Sequence, residues 1–134
     1  MVILDTNIIV DYIRQPREKK TVLDKLFDKY ADNSDTLAIS IITVQELFEG
    51  KSTANKKNEL FLQKLLACFE ILPYTYDVAV LAGKMARDTH APTEFADLAI
   101  AATSVCANSS LVTLNTKHFK FLPDVRLFDC INLN

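Results

Sequence analysis

Short apolar runs, each followed by a longer amphipathic segment, recur along this chain and confine it to folds in which strands alternate with helices. Val2-Ile3-Leu4 precedes a helical pattern from Asn7 to about Arg14, and Thr21 to Tyr30 repeats Val22, Leu23, Leu26, Phe27 and Tyr30 at helical spacing. Leu37 to Ile42 reads as the second strand, followed by the helical VQELFEG, with Gly50 where a helix C-terminus is expected. Leu60 to Phe69 is apolar along one helical face, and Glu70-Ile71-Leu72 reads as a short strand closed by Pro73. Helices are expected from Tyr76 to His90, ending before Pro92, and from about Glu94 to Asn108. Leu111 to Leu114 is the next expected strand and Val125 to Phe128 the last. The lysine-rich stretch 51–59 reads as a loop or an exposed first turn. Only two glycines, Gly50 and Gly83, argue against a hairpin-rich all-β fold. One α/β domain over residues 1–134, with a mainly parallel sheet, is the expectation.

Composition narrows the function classes. A hydrophobic share of 49% and a charged share of 24% exclude a disordered or low-complexity chain. Lys and Arg number 15 against 17 Asp and Glu, a net charge of −2, so no global basic field announces a nucleic-acid binder. An acidic protein still acts on phosphates when a bound cation supplies positive charge. Cys68, Cys106 and Cys130 are scattered without Cys-x-x-Cys spacing, against a zinc site or a disulfide framework, and Cys68 and Cys106 read as small buried hydrophobes. The N-terminus lacks the pattern of a signal peptide, and no apolar run reaches membrane-spanning length. A reduced, cytoplasmic protein with no membrane contact is expected.

The acids carry more information. Asp5 directly follows the first strand, at its carboxyl end, where parallel sheets bind ligands, and Asn7 stands two residues on. A helix N-cap explains Asp5 equally well. Glu46 opens the helix after the second strand, and Thr43-x-x-Glu46 matches a capping box, which locally is the better reading. Asp97 opens the alanine-rich helix, where the macrodipole favours an acid. Each has a local explanation. Together, they mark three strand-to-helix transitions or helix starts, which right-handed crossovers gather at one sheet edge. Carboxylates at close quarters repel unless a cation neutralises them, and hard oxygen donors suit Mg²⁺.

Four motifs, ILDTNIIVDYI, ISIITVQELFEG, EFADLAIAATS and LVTLNTKHFKFLP, occur in the order and spacing of PIN-domain proteins. Over nearly its whole length the sequence resembles that family, most closely the VapC-type toxin ribonucleases of type II toxin–antitoxin pairs. The resemblance implies a three-layer α/β/α fold around a central, mainly parallel β-sheet. It also implies RNA cleavage dependent on Mg²⁺ or Mn²⁺, with Asp5, Glu46 and Asp97 as catalytic and metal-binding residues. A fourth acid, common in the family between Thr113 and Phe119, is missing; Asn115 and His118 stand in that segment. Glu94, three residues before Asp97, is a candidate replacement, although an exposed first-turn glutamate is the simpler reading. Thr6, Asn7, Thr113 and Asn115 are candidates for orienting water or phosphate.

Substrate grip in an acidic chain must be local. Arg14, Arg17, Lys19 and Lys20 form one basic group, Lys51, Lys56 and Lys57 a second, and Lys117 and Lys120 a third, each also readable as solvated surface. The resemblance further implies a small antitoxin partner that covers the acidic crevice, and a homodimer. Ile8, Ile9, Tyr12 and Ile13 serve equally as dimer face or as core. Set against the nuclease are a catalytically degenerate scaffold or antitoxin-binding module, which the missing acid favours, and a purely structural reading of the acids as caps.

Overall fold

The computed structural model describes residues 1–32 and 35–133. Four strands, β1 (Val2–Leu4), β2 (Leu37–Ser40), β3 (Glu70–Leu72) and β4 (Ser110–Val112), form one parallel sheet in the order β3-β2-β1-β4. Around it lie α1 (Thr6–Arg14), α2 (Val22–Lys29), α3 (Ile41–Phe48), α4 (Lys56–Leu66), α5 (Tyr76–Asp88) and α6 (Phe95–Cys106). The strands read as unbroken apolar runs because both faces of the central pair are buried. Side chains alternate across the sheet, so Val2, Leu4, Leu37, Ile39 and Val112 enter one core with Ile8, Ile9, Leu23, Leu26 and Leu62. Ile3, Ala38 and Leu111 enter the other, with Val78, Ala82, Met85, Leu98 and Ile100. Helices on both faces make the three-layer α/β/α architecture that the sequence implies.

The chain winds outward from β1 through β2 to β3, then returns through α5 and α6 to place β4 on the other side of β1. That reversal opens a crevice at the carboxyl ends of β1 and β4, where parallel sheets present ligand sites. Asp5, immediately after β1, lines it, and Thr113, immediately after β4, is bonded to Asp5 from outside the lining. The Asp5 backbone N–H donates to the Val112 carbonyl at 2.8 Å, continuing the ladder one residue past the strand.

Several sequence expectations need correction. The run 37–42 divides at Ser40: its hydroxyl accepts from the Ile42 N–H at 3.0 Å and caps α3, so Ile41 and Ile42 are helical despite their β-branched side chains. Thr43 is therefore no cap, and a capping box forms at Thr21 and Asp24 instead. The stretch 51–59, by contrast, agrees with the exposed first turn expected there: a 3₁₀ turn over Lys51–Ala54 leads into the first turn of α4, capped by Asn55. Val125 to Phe128 forms no strand. The turn at Pro123-Asp124, with Asp124 at φ 66°, brings it to β4 for one parallel bridge between Leu111 and Leu127, and Asp129 then caps a 3₁₀ turn that leads away. Cys68 and Cys106 are exposed, because each lies where its helix gives way to a turn beyond the packed face. Ile8 and Ile9 belong to the core and Tyr12 packs against it, which leaves only Ile13 of the proposed dimer face exposed, at 41%.

Gly83 lies inside α5, and a Cβ there would meet nothing within 4 Å. Gly83→Ala should therefore raise stability by about 0.5–1 kcal/mol through helix propensity and a less disordered unfolded chain. A urea unfolding midpoint above that of the wild type checks this.

Candidate active site

Residues 5 and 6 organise the crevice. Asp5 is both the N-cap of α1 and a cleft residue, so the cap and site readings hold together. Its Oδ1 accepts from the Thr6 N–H at 2.8 Å, and its Oδ2 accepts from the Thr113 hydroxyl at 2.8 Å. The Thr6 hydroxyl turns the other way and donates to Glu46 Oε1 at 2.6 Å, with the Thr43 hydroxyl 2.9 Å away. Glu46 is thus no capping-box partner of its own helix; it is tied across to α1. Thr43, fully buried, supports this link. Its role escapes local sequence because it requires α1 and α3 to lie side by side.

Asn7 fixes the opposite wall. Its Nδ2 donates to Thr113 Oγ1 at 3.3 Å and its Oδ1 accepts from the Leu114 N–H at 3.2 Å, while the Asn115 N–H donates to Thr113 Oγ1 at 3.0 Å. Asp97, in the first turn of α6, enters from the third side, with His118 Nδ1 3.3 Å from its Oδ2. Glu94 is the N-cap residue of α6 without a side-chain capping bond, exposed as expected, yet on the same cleft. The cleft, about 480 Å³, is lined by Asp5, Thr6, Asn7, Glu46, Glu94 and Asp97, with Asn115 and His118 also on its wall. Every candidate residue except Thr113 lines it, and Thr113 lies beneath Asp5.

Electrostatics follow from burial. Only 5% of Asp5 is exposed, and loss of water pushes its carboxyl up to about 6, against the Thr113 hydrogen bond and with help from the charges of Asp97 and Glu46. Burial also raises Asp97; His118 opposes that shift and Glu94 adds to it. Among the described residues no Lys or Arg pairs with Asp5, Glu46 or Asp97. None of the described His, Cys, Asp and Glu side chains close into a preformed metal-ligand group of three or more. The acids share the cleft without being drawn tight. Their donor chemistry, carboxylate oxygens with an uncompensated buried charge, suits a hard divalent cation. A second cleft of about 450 Å³, beside the end of α5, lacks such chemistry: its acid, Asp88, is bound by Arg87 at 2.7 Å.

Residues 2–122 match the PIN domain. Over 132 residues the chain is 30% identical to ribonuclease VapC19 of Mycobacterium tuberculosis, spanning 94% of this chain and 98% of that one. Ribonuclease VapC1 of Methanocaldococcus jannaschii is also 30% identical, over 129 residues, with 94% and 84% covered. The fold is similar to a chain of Rickettsia felis VapBC2 bound to a DNA fragment from its promoter, with TM-score 0.82, 28% identity and 96% and 98% of the two chains covered. It is also similar to a chain of DNA-bound VapBC from Salmonella typhimurium, with TM-score 0.79, 26% identity and 96% and 97% covered.

The raised Asp5 carboxyl makes a signed stability prediction. The folded state holds this proton more tightly than the unfolded chain, so metal-free protein loses stability as pH rises from about 4 through about 6. Asp5→Asn removes that penalty and should be the more stable protein at pH 8, by on the order of 2–3 kcal/mol, with the gain vanishing near pH 4. Urea unfolding in EDTA at both pH values checks this, and a variant less stable at pH 8 refutes it.

Proposed function

This chain belongs to the PIN-domain family, and on that premise we propose that it is a VapC-like toxin ribonuclease. It hydrolyses RNA phosphodiester bonds with Mg²⁺ or Mn²⁺ held by Asp5, Glu46 and Asp97. The observation that carries this reading is the meeting of three carboxylates, from the end of β1, from α3 and from α6, on one cleft with, among the described residues, no Lys or Arg paired to them. When bound, the cation makes water acidic enough to attack at neutral pH and offsets charge on the phosphoryl oxygens.

The residues divide this work. Thr113 and the Thr6 N–H hold the Asp5 carboxylate, which has lone pairs beyond those two bonds. Thr6 holds one oxygen of Glu46 and leaves Oε2 for the cation or an ordered water. His118 stands at one oxygen of Asp97 and leaves Oδ1 for ligation. Asn7 keeps Thr113 and the start of the following turn in register, and Asn115, exposed on the wall, is suited to orient a phosphate. Arg14 at the end of α1 and Arg17 and Lys19 beyond it lie exposed, as do Lys51, Lys56 and Lys57 around the start of α4. They supply the grip on RNA that the net charge withholds. Lys20 is already paired with Asp28 at 2.7 Å and contributes less.

The reading extends to partners and place. Residues 1–134 act as one cytoplasmic domain, a homodimer in solution, inhibited by a cognate VapB-like antitoxin that covers the acidic cleft. The VapBC assemblies of Rickettsia felis and Salmonella typhimurium support the antitoxin. Among the described residues no helix is long and apolar enough to cross a membrane.

Cleavage of a mixed structured-RNA pool, with and without Mg²⁺ or Mn²⁺, tests the activity. Asp5→Asn and Asp97→Asn should each lower the metal-dependent rate by at least roughly 100-fold while the proteins stay folded. Undiminished cutting by either variant overturns the assignment. Absence of both cutting and metal binding in the wild type instead supports the degenerate scaffold. RNA affinity should also fall steeply with added salt, and a flat dependence removes the basic groups from the substrate path.

A further inference from the structure

The acidic cleft does not end at Glu46. Val10 and Glu46 line it and also line a smaller pocket of about 290 Å³, so the two cavities adjoin. On α1 the lining forms one stripe at i, i+4, i+7 and i+8: Thr6 in the cleft, Val10 at the junction, Ile13 and Arg14 in the pocket. It runs about 12 Å along the helix. Opposite, α4 brings Asn58, Phe61 and Leu62, three and four residues apart on one face. The turn Lys51–Ala54 adds Ser52 and Thr53.

The chemistry of this pocket differs from that of the cleft. Ile13 and Phe61 keep 41% and 47% of their surface exposed, an apolar wall with an aromatic ring in it. Asn58 Nδ2 donates to the Ser52 carbonyl at 3.1 Å, which fixes the amide and leaves Oδ1 and the second Nδ2 proton unused among the described residues. The surroundings are basic. Arg14 on the wall, and Lys51, Lys56 and Lys57 on the same turn and helix, are exposed, and none of the four forms an ion pair among the described residues. The one acid lining the pocket, Glu46, has Oε1 turned to Thr6. An exposed ring and an oriented amide amid unpaired cations fit one nucleotide of a single strand, with its backbone on the cations and its base on the ring.

We propose that this pocket takes the unpaired nucleobase next to the phosphodiester held in the acidic cleft, with Phe61 stacked on its face, Asn58 at its edge and Arg14 at its phosphate. The inference rests on the ribonuclease reading above and adds what that reading lacks, a feature of the substrate. A base inside a helix is already stacked and paired, so a strand enters the pocket only from a loop, a bulge or an end. Cutting is therefore confined to unpaired RNA, and Asn58 sets the base preferred at one flanking position.

The chain contains no tryptophan, so Phe61→Trp installs a single fluorescent reporter in the pocket. Combined with Asp97→Asn to keep the RNA uncut, it should be quenched by a short single-stranded RNA of random sequence and not by inorganic polyphosphate of matched charge. On the structured-RNA pool, Phe61→Ala should raise KM about tenfold with kcat changed by less than about twofold. Phe61→Tyr should restore KM, and Leu60→Ala, at an exposed neighbour outside the pocket, should leave it unchanged. Sequencing of the cut ends should show a base preference at one flanking position that relaxes in Asn58→Ala. Wild-type cutting whose KM and cut-site profile are unaltered by Phe61→Ala and Asn58→Ala overturns the inference, leaves the pocket to a protein partner and leaves the ribonuclease reading intact. So does equal quenching by polyphosphate, which reduces the pocket to a site of charge. Failure of the wild type to bind or cut any RNA in the pool overturns the inference and the ribonuclease reading together.

Discussion

A carboxylate with almost no water around it sets the terms for the rest of this molecule. Asp5 follows the most enclosed strand of the sheet, and burial there disfavours its charge by more than its two hydrogen bonds return. The neighbouring acids make the imbalance worse. Nothing in the hydrophobic layers requires that arrangement. A protein that needed only a helix cap at this point would gain from a neutral residue. The frustration is concentrated where β1 and β4 part, and Thr113, Asn7 and Thr6 hold it in place. Strain of this kind, in a structure otherwise consistent from local propensity to packing, is the usual mark of a site kept for what it does.

Much of the fold could be read in advance, for a definite reason. A strand covered on both faces must be apolar at every position, so Val2-Ile3-Leu4 and Leu37-Ala38-Ile39 stand out without any periodicity. Helices covered on one face show their spacing, as Leu23 and Leu26 do. Local rules mislead where they have two solutions. Ile41 and Ile42 resemble strand residues, but Ser40 caps the helix before them and β2 passes into α3 without a loop. Thr43-x-x-Glu46 satisfies a capping-box pattern, yet both side chains turn toward α1. Ile8 and Ile9 were equally suited to a core and to an interface, because periodicity shows which face is apolar and not what covers it. Cys68 and Cys106 sit at helix ends, where a shift of one residue separates the packed face from solvent.

The site itself was legible as a set of residues and illegible as a set of bonds. Asp5, Glu46 and Asp97 share an edge by topology, which the strand–helix alternation already implies. Which hydroxyl holds which oxygen depends on rotations of neighbouring helices that no local pattern encodes. Thr6, a candidate for orienting water or phosphate, is the link between two acids. His118 looked like a surface residue and is indeed more than half exposed, yet its ring nitrogen lies against Asp97.

The bond between Thr113 and Asp5 joins residues 108 positions apart, and this has a temporal meaning. As the chain emerges from a ribosome, Asp5, Glu46 and Asp97 are all made before the strand that completes the crevice. Until β4 arrives, β1 lacks a neighbour on one side and Asp5 lacks the hydroxyl that fixes it. Loop closure over such a distance is also among the slower steps a small domain can require. The acidic cluster is therefore a late product of synthesis, assembled only after β4 and Thr113 have left the RNA-built machine that makes them.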